Sequence, residues 1–310
     1  MLNFLQFPTK GEILIDGKRI NKGKDCLEWR RKMALVFQEP LLFKGSVEEN
    51  IAYGLKIRKY PPGEREEKIK RVLDLLKISN LRKKKSSELS GGEAQRVNLA
   101  RSLVLEPEIF LLDEPLVNID TPTRDKFLND LKQLFNKLTL TVIYVTHVRQ
   151  EALFLANRVG IMISGKIVQE GSPEEVFNFP LNEDVAKFVG VETVLSGKVI
   201  GSGNGMTLVD VNDWKIKVAA DGYGEGDVFL CIRPEEIILS NDETHTSARN
   251  NFKTKVEKIY HYGHFLKILL DAGFPLIAFI TRNAARELAL SEGKDVWASF
   301  KATSIHLIKR

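Results

Sequence analysis

The sequence predicts an α/β domain built on a parallel sheet, followed by an all-β domain of small barrel units. Three observations carry this. First, the apolar runs Ile109-Phe110-Leu111-Leu112 and Val142-Ile143-Tyr144-Val145 flank a long helical segment over residues 123–138. Strand, helix, strand with strands apolar on both faces implies a parallel sheet covered on both sides. Second, after Gly190 strand-like runs such as Leu208-Val209-Asp210-Val211 and Trp214-Lys215-Ile216-Lys217-Val218 alternate with Gly and Asn turns. Third, that second part repeats itself. Gly226-Asp227-Val228 leads into Cys231-Ile232-Arg233-Pro234-Glu235-Glu236-Ile237-Ile238-Leu239. Gly293-Lys294-Asp295-Val296 leads into Phe300-Lys301-Ala302-Thr303-Ser304-Ile305-His306-Leu307-Ile308. Two copies of a small barrel unit are expected, with domains over residues 1–190 and 195–310.

The elements follow in order. Gly11-Glu12-Ile13-Leu14-Ile15-Asp16-Gly17-Lys18 reads as a strand closed by an Asp-Gly turn. Lys32-Met33-Ala34-Leu35-Val36-Phe37 is a second strand ending at Gln38. Residues 61–105 turn helical, with Leu73, Leu76 and their neighbours at helical spacing. In Leu89-Ser90-Gly91-Gly92-Glu93, Ser90 and Glu93 stand at capping-box spacing, so a helix begins there.

Composition is that of an ordinary water-soluble globular chain. The 310 residues are 43% hydrophobic and 28% charged, with a net charge of +5. The positive charge is scattered; its one run, Arg82-Lys83-Lys84-Lys85, reads as a solvated helix end, so no nucleic-acid partner is expected. Cys26 and Cys231 match no metal or redox spacing, which favours a reducing compartment. No apolar stretch reaches the ~18 residues a membrane helix needs, and the first residues lack the pattern of a signal peptide. Membrane contact is therefore expected only through a partner.

Chemistry concentrates in a few places. Gly91 and Gly92 leave backbone N–H groups bare at the positive end of a helix, an anion site or simply an ordinary cap. Asp113 and Glu114 follow an apolar strand at its carboxyl end, where open α/β sheets bind ligands. There Asp113 can position Mg²⁺, and Glu114 can orient and deprotonate a water; two exposed acids ending a strand is the plainer alternative. His147 repeats the placement after a neighbouring strand. His261-Tyr262-Gly263-His264 reads as a hairpin turn at Gly263 rather than a metal pair.

In this order along the chain, these residues resemble the ATP-binding cassette (ABC) ATPases. Gln38 resembles the Q-loop glutamine, with residues 39–50 as the transporter-facing stretch. Residues 89–93 are similar to the signature motif, with Glu93 where Gln is more usual. Residues 109–113 resemble Walker B, Asn118-Ile119-Asp120 the D-loop, and His147 the switch histidine. The resemblance implies Glu114 as catalytic base with His147, and Gln38, Ser90, Gly91, Gly92, Glu93 and Asp120 around ATP. Asp113 and Gln38 would hold Mg²⁺. Two copies would sandwich ATP, driving membrane permease subunits fed by an extracytoplasmic binding protein, on the cytoplasmic face of the membrane.

The family's phosphate-cradling loop, G-x-x-x-x-G-K-[ST], does not occur in the sequence; Gly11 to Lys18 has the wrong spacing and continues into Arg19. Residues 1–6 resemble the tail of the helix that follows such a loop. The fold implied is thus a P-loop NTPase-like ABC ATPase domain, N-terminally truncated, and a mis-assigned start is the favoured expectation. A degraded gene and a genuine P-loop-less subunit follow it. The helix that would cover one face of the strands at Ile109 and Val142 is expected to be mostly absent, so the chain is expected to fold poorly alone.

The second domain resembles the TOBE/Mop-like barrels of anion-importer ATPases. Ser247-Ala248-Arg249-Asn250 and residues 300–307 look like molybdate or tungstate importer subunits. Ser247, Arg249 and Asn250 are candidate oxyanion contacts; a plain turn before a strand weighs equally. The function implied is the ATPase subunit of a tungstate or molybdate importer. The alternatives are a non-hydrolysing subunit, an oxyanion sensor, or an importer ATPase for sulfate, sugar, polyamine or iron.

Overall fold

The computed structural model describes residues 2–20, 24–244 and 246–310, the side chains of residues 24, 25 and 121 excepted. By contacts the chain divides into two units, residues 1–156 and 157–310.

In the first unit, strands β1 (Leu14–Ile15) and β2 (Lys18–Arg19) form a hairpin. Its Asp16-Gly17 turn has φ +50° and +73°, the left-handed pair that matches strand twist. Helix α1 (Lys24–Lys32) leads into β3 (Met33–Val36), then α2 (Val47–Ile57), α3 (Pro62–Leu75) and α4 (Gly91–Leu103). Strand β4 (Ile109–Asp113), helix α5 (Thr121–Lys137), strand β5 (Thr141–Val145) and helix α6 (Arg149–Leu155) complete the unit. Strands β3, β4 and β5 form a parallel sheet in that order, with Leu35 beside Leu111 and Leu111 beside Ile143. Val36, Phe110, Leu112, Leu99, Ile51 and Phe127 sit in its main core.

Three expectations are corrected here. Residues 2–6 are not a helical tail: Phe4 takes φ +58° and buries its ring beside Phe7. Met1 lies outside the described residues. Nor is β4 bare. It is the central strand, with Phe110, Leu111 and Leu112 all buried, and the cluster of Phe4, Ile20, Cys26 and Met33 covers its start. The uncovered strand is β5, whose Ile143 and Val145 are exposed. The basic run is also less solvated than expected, since Arg82 pairs with Glu48 at 2.7 Å and Glu66 at 2.6 Å.

The second unit opens with the hairpin β6 (Val159–Ile163) and β7 (Lys166–Gly171) and the short helices α7 (Pro173–Asn178) and α8 (Glu183–Phe188). By contacts these group with the C-terminal unit, although the longer all-β run begins only at Thr193. Strands β8 (Thr193–Gly203), β9 (Met206–Val211), β10 (Trp214–Val218), β11 (Gly226–Ile232) and β12 (Ile238–Ser240) come first. Then follow β13 (Asn250–Tyr262), β14 (Phe265–Asp271), β15 (Pro275–Thr281), α9 (Arg282–Glu287), β16 (Asp295–Phe300) and β17 (Ile305–Lys309). They make two five-stranded antiparallel sheets, ordered β10-β9-β8-β11-β17 and β15-β14-β13-β16-β12. Each sheet is four strands from one stretch of chain plus the last strand of the other stretch, so the two are knitted together. Their inner faces share one core that includes Val209, Leu230, Ile268, Ala298 and Phe300.

Candidate functional site

The carboxyl ends of the parallel strands gather the first set of candidates. Val36 pairs with Leu112, and Asp113 with Val145, so Gln38, Asp113, Glu114 and His147 all leave the sheet along one edge. Such an edge is where open α/β sheets place ligands. Gln38 and Asp113 are exposed, and neither side chain has an ion-pair partner among the described residues.

Glu114 is held tightly. Its N–H donates to the Val145 carbonyl at 2.9 Å, and its φ of +43° is left-handed, a conformation that costs a non-glycine residue ~1–3 kcal/mol. That twist aims its carboxylate across β5, where His147 Nδ1–H donates to Oε1 at 2.9 Å. The two residues follow different strands, 33 positions apart, and the parallel register of β4 and β5 brings them together. A carboxylate bonded to an imidazole is an acid–base pair able to take a proton from water and hold the charge that follows.

Beyond the pair, β4 runs into the loop of Asn118-Ile119-Asp120. Asp120 caps α5: its carboxylate accepts from the Thr123 hydroxyl and from the Thr123 N–H at 3.2 Å, which holds its pKa below the ordinary carboxylate value. The same loop meets the start of α4. A Cβ on Gly92 would come within 3.2 Å of Thr123 Cγ2, and one on Gly91 within 3.6 Å of the Asn118 carbonyl. The 89–93 motif and the 118–120 loop are thus one packed unit.

Ser90 and Glu93 form a complete capping box at the start of α4. The Ser90 hydroxyl accepts from Glu93 N–H at 3.3 Å, and Ser90 N–H donates to Glu93 Oε2 at 2.8 Å. Lys84 adds an ion pair at 3.1 Å. The Ser90 N–H contact, foremost, and then Lys84 hold the Glu93 carboxyl below its usual range. A Gln at this position would keep the backbone contact and lose the ion pair, which accounts physically for a Glu here.

The stretch after Gln38 carries exposed apolar groups. Leu41, Phe43 and Tyr53 are all exposed, and the Phe43 and Tyr53 rings lie 4.5 Å apart. Arg101 of α4 stacks on Phe43 at 4.5 Å and donates to the Leu41 carbonyl, tying this surface to the helix that starts at Gly91.

In the second unit Ser247 and Arg249 are exposed on the turn before β13. Asn250 does not join them. It is buried, and its amide is taken up by the Lys217 backbone, accepting from N–H and donating to C=O at 2.8 Å each. Asn250 therefore serves as a clamp between β10 and β13 instead of an anion contact. At the 261–264 turn Gly263 takes φ +60° between the paired Tyr262 and Phe265, a hairpin. Among the described residues no cluster of three or more His, Cys, Asp or Glu could hold a metal ion by itself.

Sequence reasoning missed Glu151. This carboxylate is buried in α6 and joined to Arg124, Tyr144 and Thr146. Its only local signal is an acid in the first turn of a helix, which by itself does not distinguish it from a surface residue.

The ABC transporter family model matches residues 1–117, and the TOBE domain model matches residues 246–307. The chain is 40% identical over 302 residues to the molybdate/tungstate import ATP-binding protein WtpC of Pyrococcus horikoshii. The match covers 97% of this chain and 85% of the relative. It is 38% identical over 238 residues to the spermidine/putrescine import ATP-binding protein PotA of Clostridium novyi, covering 76% and 67% of the two chains. Among solved structures, cbiO1 of Clostridium perfringens, part of the ABC transporter complex cbiONQ, aligns with a TM-score of 0.54 at 29% identity. That alignment covers 62% of this chain and 76% of the other.

Proposed function

The chain belongs to the ATP-binding subunits of ABC importers, and from that premise we propose that it couples ATP to the uptake of molybdate or tungstate. The observation that carries the catalytic part is the Glu114–His147 bond at the carboxyl edge of the sheet. The oxyanion part is supported by the 40% identity to a molybdate/tungstate subunit over nearly the whole chain. Ser247 and Arg249, a hydroxyl and a guanidinium on an exposed turn inside the TOBE match, are its candidate contacts.

The residues present fit one flank of a Mg²⁺–nucleotide site. Asp113 and Gln38 offer oxygen ligands with no competing ion pair among the described residues, and hard cations take such ligands. Behind the Ser90 cap, Gly91 and Gly92 present a helix N-terminus whose bare N–H groups suit a phosphate. ATP with Mg²⁺ supplies the scissile anhydride and its counter-charge. In this reading Glu114 Oε accepts a proton from the attacking water, His147 holds that carboxylate in place, and Asp113 and Gln38 would hold the metal. Asp120 and the 89–93 motif face a second copy of the chain. Leu41, Phe43 and Tyr53 form the surface that meets a membrane permease, so the protein works at the cytoplasmic face. Among the described residues no helix is long and apolar enough to cross a membrane.

Glu114→Gln, in the chain carrying a G-x-x-x-x-G-K-[ST] loop ahead of it, lowers hydrolysis ~10²–10⁴-fold and leaves ATP binding intact. Unchanged turnover removes Glu114 from the role.

A further inference from the structure

Three elements converge on one buried carboxylate that the catalytic assignment does not use. Glu151, in α6, is 3% exposed. Its Oε2 accepts from Thr146 Oγ1 at 2.6 Å and from the Tyr144 hydroxyl at 3.0 Å. Its Oε1 accepts from Arg124 Nε at 3.0 Å. Thr146 Oγ1, while donating to Glu151, accepts from the Val148 N–H at 3.0 Å. Thr146 and Val148 flank His147, so the turn that carries the imidazole is fastened on both sides to Glu151. Burial and the adjacent Glu151 push the Tyr144 phenol up, so it stays a hydrogen-bond donor.

Arg124 extends the chain of contacts. It lies in the first turn of α5, and its N–H donates to the Asp120 carbonyl at 2.8 Å. A continuous path therefore runs from Asp120 through Arg124, Glu151 and Thr146 to the turn of His147, and from His147 to Glu114. A carboxylate taken out of water is tolerated only when its partners are well placed, and removing one partner is strongly unfavourable. Such a network has few alternative arrangements and sets its members rigidly.

We propose that Glu151 is a positioning residue: through Thr146 it sets the turn that delivers His147 Nδ1–H to Glu114, and through Arg124 it ties that imidazole to the Asp120 loop. The proposal rests on Glu114 and His147 as the catalytic pair, but its test reads the imidazole directly and needs no hydrolysis.

The test is NMR of the full chain without nucleotide, ¹⁵N-labelled at histidine to read the imidazole and uniformly to read amide exchange. Wild type shows a His147 Nδ1–H signal, as the 2.9 Å contact with the Glu114 carboxylate requires. Thr146→Val keeps the shape and removes the hydroxyl joint; the Nδ1–H signal is lost, and Val148 N–H exchange rises about tenfold. Glu151→Gln keeps an acceptor for Thr146 but no charge for Arg124, and it restores part of the Nδ1–H population that Glu151→Ala abolishes. Persistence of the wild-type Nδ1–H signal in both Thr146→Val and Glu151→Ala overturns the proposal. If Glu151→Ala does not fold, Thr146→Val alone decides. Failure of the catalytic reading looks different: the tautomer shifts as expected, while Glu114→Gln leaves hydrolysis unchanged.

Discussion

At the scale of single residues, each of the side chains that matter does two jobs. Glu114 takes a strained backbone and in return meets His147 at 2.9 Å. Asn250 shows the opposite outcome for a polar residue in a motif. Buried with both amide groups on the Lys217 backbone, it replaces the strand-to-strand bonds that β10 and β13 do not make with each other. Asn250→Ala leaves that half-buried N–H and C=O without their side-chain partner, so unfolding free energy falls by about 1–3 kcal/mol. A chemical-denaturation midpoint within error of wild type contradicts the clamp. Glu114 and His147 were legible as strand-end residues because apolar runs announce β4 and β5. Asn250 was not. Its neighbours Ser247 and Arg249 suggested a polar turn, and nothing local distinguishes a clamp 33 residues from its partner from an exposed amide.

At the scale of elements, α4 is the best-specified helix. The Ser90–Glu93 box satisfies two otherwise orphaned N–H groups, and Gly92 lets the helix start pack on Thr123. Ser90→Ala costs about 1 kcal/mol. The box also fixes a pH dependence. The Glu93 carboxyl is held below its ordinary pKa in the folded chain, chiefly by the Ser90 N–H. Its contribution is therefore fully present above the unfolded-state pKa and is lost as pH falls through the lower, folded value. Glu93→Gln flattens that acid limb, measured as Tm against pH from neutrality downward; an unchanged limb assigns the acid sensitivity to other carboxylates. The capping spacing made this helix readable from sequence. The strand exchange of β12 and β17 was not, because repeated patterns reveal two similar stretches without saying which sheet each last strand joins.

At the scale of the whole chain, the question is what the uncovered side of the parallel sheet does in water. β4 is buried along Phe110, Leu111 and Leu112, but β5 turns Ile143 and Val145 outward at 37% and 53% exposure. On α6, Leu153 and Phe154 add 49% and 38%. Each large apolar side chain left in water forgoes about 1.5–3 kcal/mol against a total stability of ~5–15 kcal/mol. The sheet edge of β5 also offers backbone groups with no strand partner among the described residues, and such an edge templates association. The isolated chain is accordingly expected to bind 1-anilinonaphthalene-8-sulfonate strongly and to sediment as a mixture that grows with concentration. Ile143→Thr with Val145→Thr keeps the branched shape that suits a strand while adding hydroxyls. That double variant should cut dye fluorescence at least ~2-fold and shift the sedimentation profile toward monomer, with the melting midpoint little changed. If the wild-type chain is instead a dye-silent monomer at all concentrations, the outward face of β5 is not a solvent-exposed apolar surface in solution. In that case the exposure of Ile143 and Val145 describes no liability of the folded protein.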